Sequence, residues 1–187
     1  MSAGNFQDVV REAILSLPED LKAMLRVVED PDLPDEARTL AAGAVLNVLS
    51  AQNVIPGQRG LLAYVDDVIV LRMVLERLGE RHPDAMAAHR DHAPELLSPL
   101  PEQMEAIRAY LGDLIRVLDK AIDQLPSLTH LGHSAAECAR DAEASTWLYD
   151  SVLEAEVDDL SFDEDEVARA VKDVHQIKRP LELRLQS

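Results

Sequence analysis

The sequence predicts an all-α fold, a multi-helix bundle of about seven to eight helices whose C-terminal part is a long helical hairpin plus a final helix. Three features point to it. Hydrophobic residues fill 47% of the 187 positions, while aromatics are only 3% and glycines number 7, a balance that favours helices over sheets. Proline followed by acid recurs at Pro18-Glu19-Asp20, Pro34-Asp35-Glu36 and Pro101-Glu102, the composition of a helical first turn. Two Ser-x-x-Glu capping boxes, Ser134 with Glu137 and Ser161 with Glu164, let side chain and backbone satisfy each other at a helix start.

These signals place helices near residues 6–16, 18–29, 35–52, 61–80, 83–93, 101–125, 135–158 and 162–178. The third contains LAAGAVLNVL and the fourth LLAYVDDVIVL; both fall short of the roughly 18–20 apolar residues that a membrane span needs. Pairing them in lipid would bury Asn53, Arg59 and two aspartates, so both are read as core helices and no span is expected. APELLSPLPEQ, with three prolines, divides an N-terminal part, 1–97, from a C-terminal part, 98–187, the two packing as one unit. Beyond it Met104, Ile107, Leu111, Leu114, Leu118, Ala121 and Leu125 alternate spacings of three and four, an apolar stripe that wants a partner helix. The helix after Ser134 offers Cys138, Ala142, Ser145, Leu148 and Val152 for that role, with the turn near LPSLTHLGH. The same stripe would also serve an intermolecular coiled coil, hence a homodimer.

Acids outnumber bases 35 to 18, and the net charge of -17 repels phosphate backbones and anionic lipid. Nucleic acid is excluded as a partner, and a protein with a basic surface is the partner that charge admits. Cys138 is the only cysteine, and MSAGNFQDVVREAIL lacks the basic-then-apolar order of a secretory signal, which points to the cytoplasm.

Leu49, Ser50, Val54, Ile55, Pro56, Leu61, Leu62, Tyr64, Val65, Asp66, Asp67, Val68, Ile69, Val70 and Leu71 align without a gap to one family signature. Over residues 40–80 the chain resembles the YkvA-like family, a bacterial group classed as a domain of unknown function. Asn53 and Gly57 stand where that signature has acids, and Ala51 and Gly60 where it has prolines. The resemblance implies a helix, an irregular loop and a second helix, and it implies no activity. The motif residues it marks are Asn53, Pro56, Arg59, Tyr64, Asp66 and Asp67.

On a helix advancing about 100° per residue, adjacent aspartates diverge, so Asp66 and Asp67 do not chelate one ion or serve one substrate atom. Asp66 falls on the side of Met73, Arg77 and Glu80 and is expected to meet solvent or Arg77. Asp67 shares the face of Leu71, Val74 and Leu78; buried there, it is expected to hold loop 53–60 through backbone N–H groups, the Asn53 amide and Arg59. The histidines give two pairs at zinc-like spacing, His89 with His92 and His130 with His133, but the Glu of a His-Glu-x-x-His motif is missing. Cys138 is read as a small core residue. The run EAEVDDLSFDEDE resembles a calcium loop at Asp159, Ser161, Asp163 and Asp165, yet Glu164 replaces the turn glycine and Ala170 the final glutamate. Its acids Glu156, Asp158, Asp159, Asp163, Glu164 and Asp165 are instead candidates for docking a basic protein surface. With no clustered acid, base and nucleophile, no catalytic residue and no cofactor are assigned. The expected function is a non-enzymatic interaction or scaffolding module, with a metal-binding protein or metal-dependent hydrolase as the alternative.

Overall fold

The computed structural model describes residues 3–50 and 52–187. It is an all-α bundle whose one sheet among the described residues is a two-residue antiparallel ribbon, β1 (Thr129–His130) with β2 (His133–Ser134), register Thr129↔Ser134 and His130↔His133. In order, the helices are α1 (Ala3–Val28), α2 (Asp35–Leu49), α3 (Val65–Arg81), α4 (Pro83–His92), α5 (Pro94–Leu97) and α6 (Leu100–Leu111). There follow α7 (Ile115–Gln124), α8 (Ala135–Arg140), α9 (Ala142–Asp158), α10 (Glu164–Ala170) and α11 (Lys178–Gln186). Turns of 3₁₀ helix lead into α3 (Gly60–Tyr64) and join α6 to α7 (Gly112–Leu114), end α7 (Leu125–Ser127) and join α10 to α11 (Val171–Ile177). Among the described residues no helix is long and apolar enough to cross a membrane.

α2 is the axis of the bundle. Its residues 39–48 are buried on every side, as expected of a helix that is apolar all round. It packs on α1, α3, α8 and the turn Leu125–Ser127. Gly43 permits that last approach: an ideal Cβ there would lie 2.2 Å from the Leu125 carbonyl oxygen. Between α1 and α2, Arg38 donates from Nε to the Val28 carbonyl at 2.7 Å and from Nη2 to the Ala139 carbonyl at 2.5 Å. One side chain thus serves free carbonyls near the ends of α1 and α8, where positive charge is favoured. The buried cluster is continuous from Phe6 to Leu181 and draws on every helix from α1 to α11.

Several sequence expectations are corrected. Pro18 does not start a helix; α1 runs through it, because Ile14, Leu17, Leu21 and Met24 form one fully buried face across the proline. That burial, about 1.5–3 kcal/mol per large side chain, outweighs the roughly 3 kcal/mol that an interior proline costs. Ser161 does not cap its helix either; Asp163 does, accepting from the Glu166 N–H at 3.0 Å. The Ser134–Glu137 capping box is present with both its hydrogen bonds. The helix after it breaks at Asp141, whose side chain caps α9 by accepting from the Ala144 N–H. The stripe from Met104 to Leu125 packs on α1, α3 and α11, and the arms of the hairpin meet at the turn, where Leu125–Ser127 lies against α8. Cys138, Ala142, Ser145, Leu148 and Val152, the partner face expected for this stripe, are divided between α8 and α9, and both helices pack on α2, itself rich in alanine.

Candidate functional site

Residues 52–59, before the turn Gly60–Tyr64, have no regular structure, so their backbone groups need outside partners. Asp66, in the first turn of α3, supplies them. Its Oδ2 accepts from the N–H groups of Val54 at 2.5 Å and Ile55 at 3.2 Å, while Oδ1 accepts from the Asp67 N–H at 3.0 Å. From the other side Arg184 of α11 donates to the Val54 carbonyl at 2.7 Å. The loop is fastened at one residue by an acid for its amide and a base for its carbonyl. Gly57 and Gly60, at φ 80° and 60°, let the chain reverse between these points.

The roles expected of the two aspartates are therefore exchanged. Asp66 was expected at the surface, yet it is 1% exposed and holds the loop. The loop folds back over the start of α3, and at that end three backbone donors outweigh the attraction of Arg77, which pairs with Asp119 and Asp123 instead. Asp67 is buried as expected, at 4%, but its partner is Asn47 of α2, whose Nδ2 donates to Oδ1 at 3.2 Å. Arg59 is exposed and Asn53 half-buried; neither has a hydrogen bond to Asp67. Burial pushes the Asp66 carboxyl up to about 6 against the pull of its backbone donors. Burial, and then the adjacent Asp66 charge, push Asp67 well above the ordinary carboxylate range. With a single neutral donor to hold its charge, Asp67 is the one that keeps its proton.

Asp67 faces a cleft of about 290 Å³ lined by Asn53, Tyr64 and Asp159 among polar residues and by Val48, Leu49 and Leu160 among apolar ones. Its far wall comes from the end of α9, and Tyr64 crosses the gap, donating from its hydroxyl to the Asp159 carbonyl at 3.4 Å. Tyr64 also meets Phe162 edge-on, with ring centroids 5.2 Å apart. Pro56 is exposed at the outer bend of the loop.

α9 carries a second feature. Tyr149, Leu153 and Val157 are 45%, 37% and 78% exposed, and their i, i+4, i+8 spacing sets them in one row. Asp150, Glu154 and Asp158 repeat that spacing one residue on, so an exposed acidic row runs beside the apolar one. None of these three acids has an ion pair with another described residue. Of the other acids in the run, Glu156 pairs with Lys22 at 3.0 Å, Asp159 reaches the cleft, and Asp163 caps α10. Glu164 and Asp165 lie exposed in the first turn of α10, where the helix dipole favours them.

His89 and His92 have separate partners. His89 Nε2 meets Asp30 Oδ2 at 2.6 Å, while His92 Nδ1 lies 2.8 Å from the Ala88 carbonyl. His130 and His133 face each other across the ribbon, and both rings lie against Trp147, His133 stacked at 3.9 Å and His130 tilted at 6.4 Å. Cys138 is in the core, its thiol pushed up to about 11 by burial and then by Glu137.

Sequence reasoning missed a buried ionic network. Arg72 donates from Nη2 to Asp20 Oδ2 at 3.2 Å, from Nε to Gln103 Oε1 at 3.0 Å and from Nη1 to the Val68 carbonyl at 3.3 Å. Ser16 donates to the same Asp20 oxygen at 2.9 Å, so α1, α3 and α6 are joined through one guanidinium. An arginine inside the apolar run VIVLRMVL was the available signal, as was Asn47 inside LAAGAVLNVL. Compared with known proteins, the chain matches no family model, no curated protein and no solved structure.

Proposed function

We propose that the protein is a non-enzymatic interaction module that receives a basic amphipathic helix of another protein along α9. The observation that carries this reading is the pair of parallel exposed rows, apolar Tyr149, Leu153 and Val157 beside acidic Asp150, Glu154 and Asp158. An apolar row at successive turns matches the anchors of a helix laid into a groove, and a row of unpaired acids at its edge selects lysine or arginine on the incoming face. A second copy of this chain is the poorer occupant, since two-fold pairing would set the same acids against each other. The net charge of -17 adds long-range attraction for a basic partner. The resemblance of residues 40–80 to the YkvA-like family belongs to this reading as a shared helix–loop–helix element beneath the docking face.

The test is affinity capture from the native host with wild type and with a Leu153→Asp, Val157→Asp variant, followed by titration of the purified partner. Support is a partner whose contacting segment is a lysine- or arginine-rich helix, bound at least about tenfold more weakly by the variant and more weakly at high salt. Partners retained equally by the variant, or self-association through α9, overturn the proposal.

A further inference from the structure

The cleft beside α3 has features that the α9 reading does not use. Asp67 Oδ1 accepts from Asn47, and Oδ2 has no hydrogen-bond partner among the described residues. That oxygen is not sealed in the core, the buried side-chain atom without a partner among the described residues being Thr39 Oγ1, so it opens to the cleft. Asp67 lines the cleft, and the remaining polar lining residues are Asn53, Tyr64 and Asp159, an amide, a phenol and a second acid. No basic side chain lines this cleft. Every other wall is apolar, from Val48 and Leu49 of α2 to Ala63, Ala155 and Leu160. The volume, about 290 Å³, is at the lower end of the range for small-molecule pockets.

We infer that this cleft binds an alkylammonium group, its head on Asp67, Asn53 and Asp159 and its methylene stem along the apolar wall. An ammonium offers three donors in a compact head, which suits a cleft whose acceptor-bearing residues come from α3, the loop and the end of α9. A hydrated divalent cation is a worse match, because it asks for six or more oxygens and gains nothing from the apolar wall. The group has two sources, a free alkylamine or a lysine side chain, and the same cleft serves either. This inference does not rest on the α9 face, whose row residues are absent from the cleft lining.

Entry of the cation would displace the proton that burial keeps on Asp67, so binding releases a proton and strengthens as pH rises. The titratable groups facing Asp67 are Asp66 on its own helix, Tyr64 on the turn before it and Asp159 at the end of α9. α2 and the loop face it with the neutral Asn47 and Asn53.

Calorimetric titration of the whole chain tests this with 1,5-diaminopentane, with Nα-acetyl-lysine methylamide as the side-chain form and with 1-pentanol as the uncharged control. Both amines, or one of them, bind wild type with proton release, and the tighter one identifies the source. Asp67→Asn loses at least about tenfold in affinity, and 1-pentanol gives no saturable heat. Asp159→Asn, changed at an exposed position, loses affinity as well and decides the matter if Asp67→Asn does not fold. The inference is overturned if neither amine binds folded wild type up to millimolar concentration. Equal binding by wild type and the Asn variants, which marks general attraction to an acidic surface, overturns it too.

Discussion

Asp66 Oδ2 lies 2.5 Å from the backbone nitrogen of Val54, so the irregular loop before α3 is fastened by a carboxylate of the helix that follows it. Removing that carboxylate strands the N–H groups of Val54, Ile55 and Asp67, of which Ile55 and Asp67 are buried. Orphaned buried donors cost about 1–3 kcal/mol each, less whatever water recovers. Asp66→Ala is expected to lower stability by about 3 kcal/mol in denaturant titration and to expose the loop to proteolysis. Asp67→Ala gives up a single hydrogen bond, from Asn47, and is expected to lose about 1 kcal/mol. Equal losses from the two variants would refute the division of labour between these neighbours.

The same pair makes stability depend on pH in a direction opposite to ordinary acid denaturation. With a folded-state value of about 6 against 3.8, Asp66 holds a proton that the unfolded chain has already released. Fewer protons on the unfolded state mean that stability falls as pH rises through this window, and the raised Asp67 extends the fall upward. Between pH 7.5 and pH 5, Tm is expected to rise by roughly 3–6 °C, corresponding to about 1–2 kcal/mol. Relief of the -17 charge acts in the same direction, so the discriminating measurement is the slope. Asp67→Asn, which has no proton to hold, should flatten the slope; an unchanged slope would remove Asp67 from the account.

What could be read in advance follows from how local each cause is. The composition and the proline–acid starts foretell an all-α bundle, because helix propensity and first-turn chemistry act within a few residues. Burial of Asp67 was legible from the face it shares with Leu71, Val74 and Leu78, since those positions are fixed by 3.6-residue periodicity. Burial of Asp66 was not, because it comes from loop residues 54 and 55 folding back over α3, a contact that periodicity does not encode. The helix through Pro18 and the diversion of the Met104–Leu125 stripe to α1, α3 and α11 have the same origin. Each is a local rule overridden by a neighbour distant in sequence. The apolar row of α9 was fully present in the spacing of residues 149, 153 and 157, but its exposure is settled only by which faces the other helices leave uncovered.

Asp20 and Arg72 form a pair in which both side chains are buried, at 4% and 3% exposure. Burial raises the Asp20 carboxyl despite the nearby guanidinium and lowers Arg72 despite the nearby carboxylate, so desolvation is the larger effect on each. Such a pair contributes little net stability but is expensive to break. Arg72→Ala and Asp20→Ala are each expected to cost about 3–5 kcal/mol, because each leaves its partner unmatched in the core. Asp20→Leu combined with Arg72→Met should recover most of that loss, although Gln103 would also lose its bond to Arg72 Nε. A double variant as unstable as the sum of the single losses would show that the network contributes stability in its own right.

The contact of α2 with the turn after α7 makes the fourth prediction. In an exposed helix, Gly→Ala stabilises by up to about 1 kcal/mol through propensity. Gly79 in α3 is half-buried, but an added Cβ there has nothing within 4 Å, so Gly79→Ala should likewise raise the denaturation midpoint. At Gly43 the same methyl would lie 2.2 Å from the Leu125 carbonyl oxygen and 2.6 Å from its carbon. Both are backbone atoms, so no rotamer change relieves the overlap and α2 must move away from the turn. Overpacking of this kind costs about 1–3 kcal/mol, and a separation so far below contact distance belongs at the upper end. Gly43→Ala is therefore expected to lose about 2 kcal/mol net of its propensity gain. A Gly43→Ala protein as stable as Gly79→Ala would mean that α2 and this turn are farther apart in solution than the packing requires.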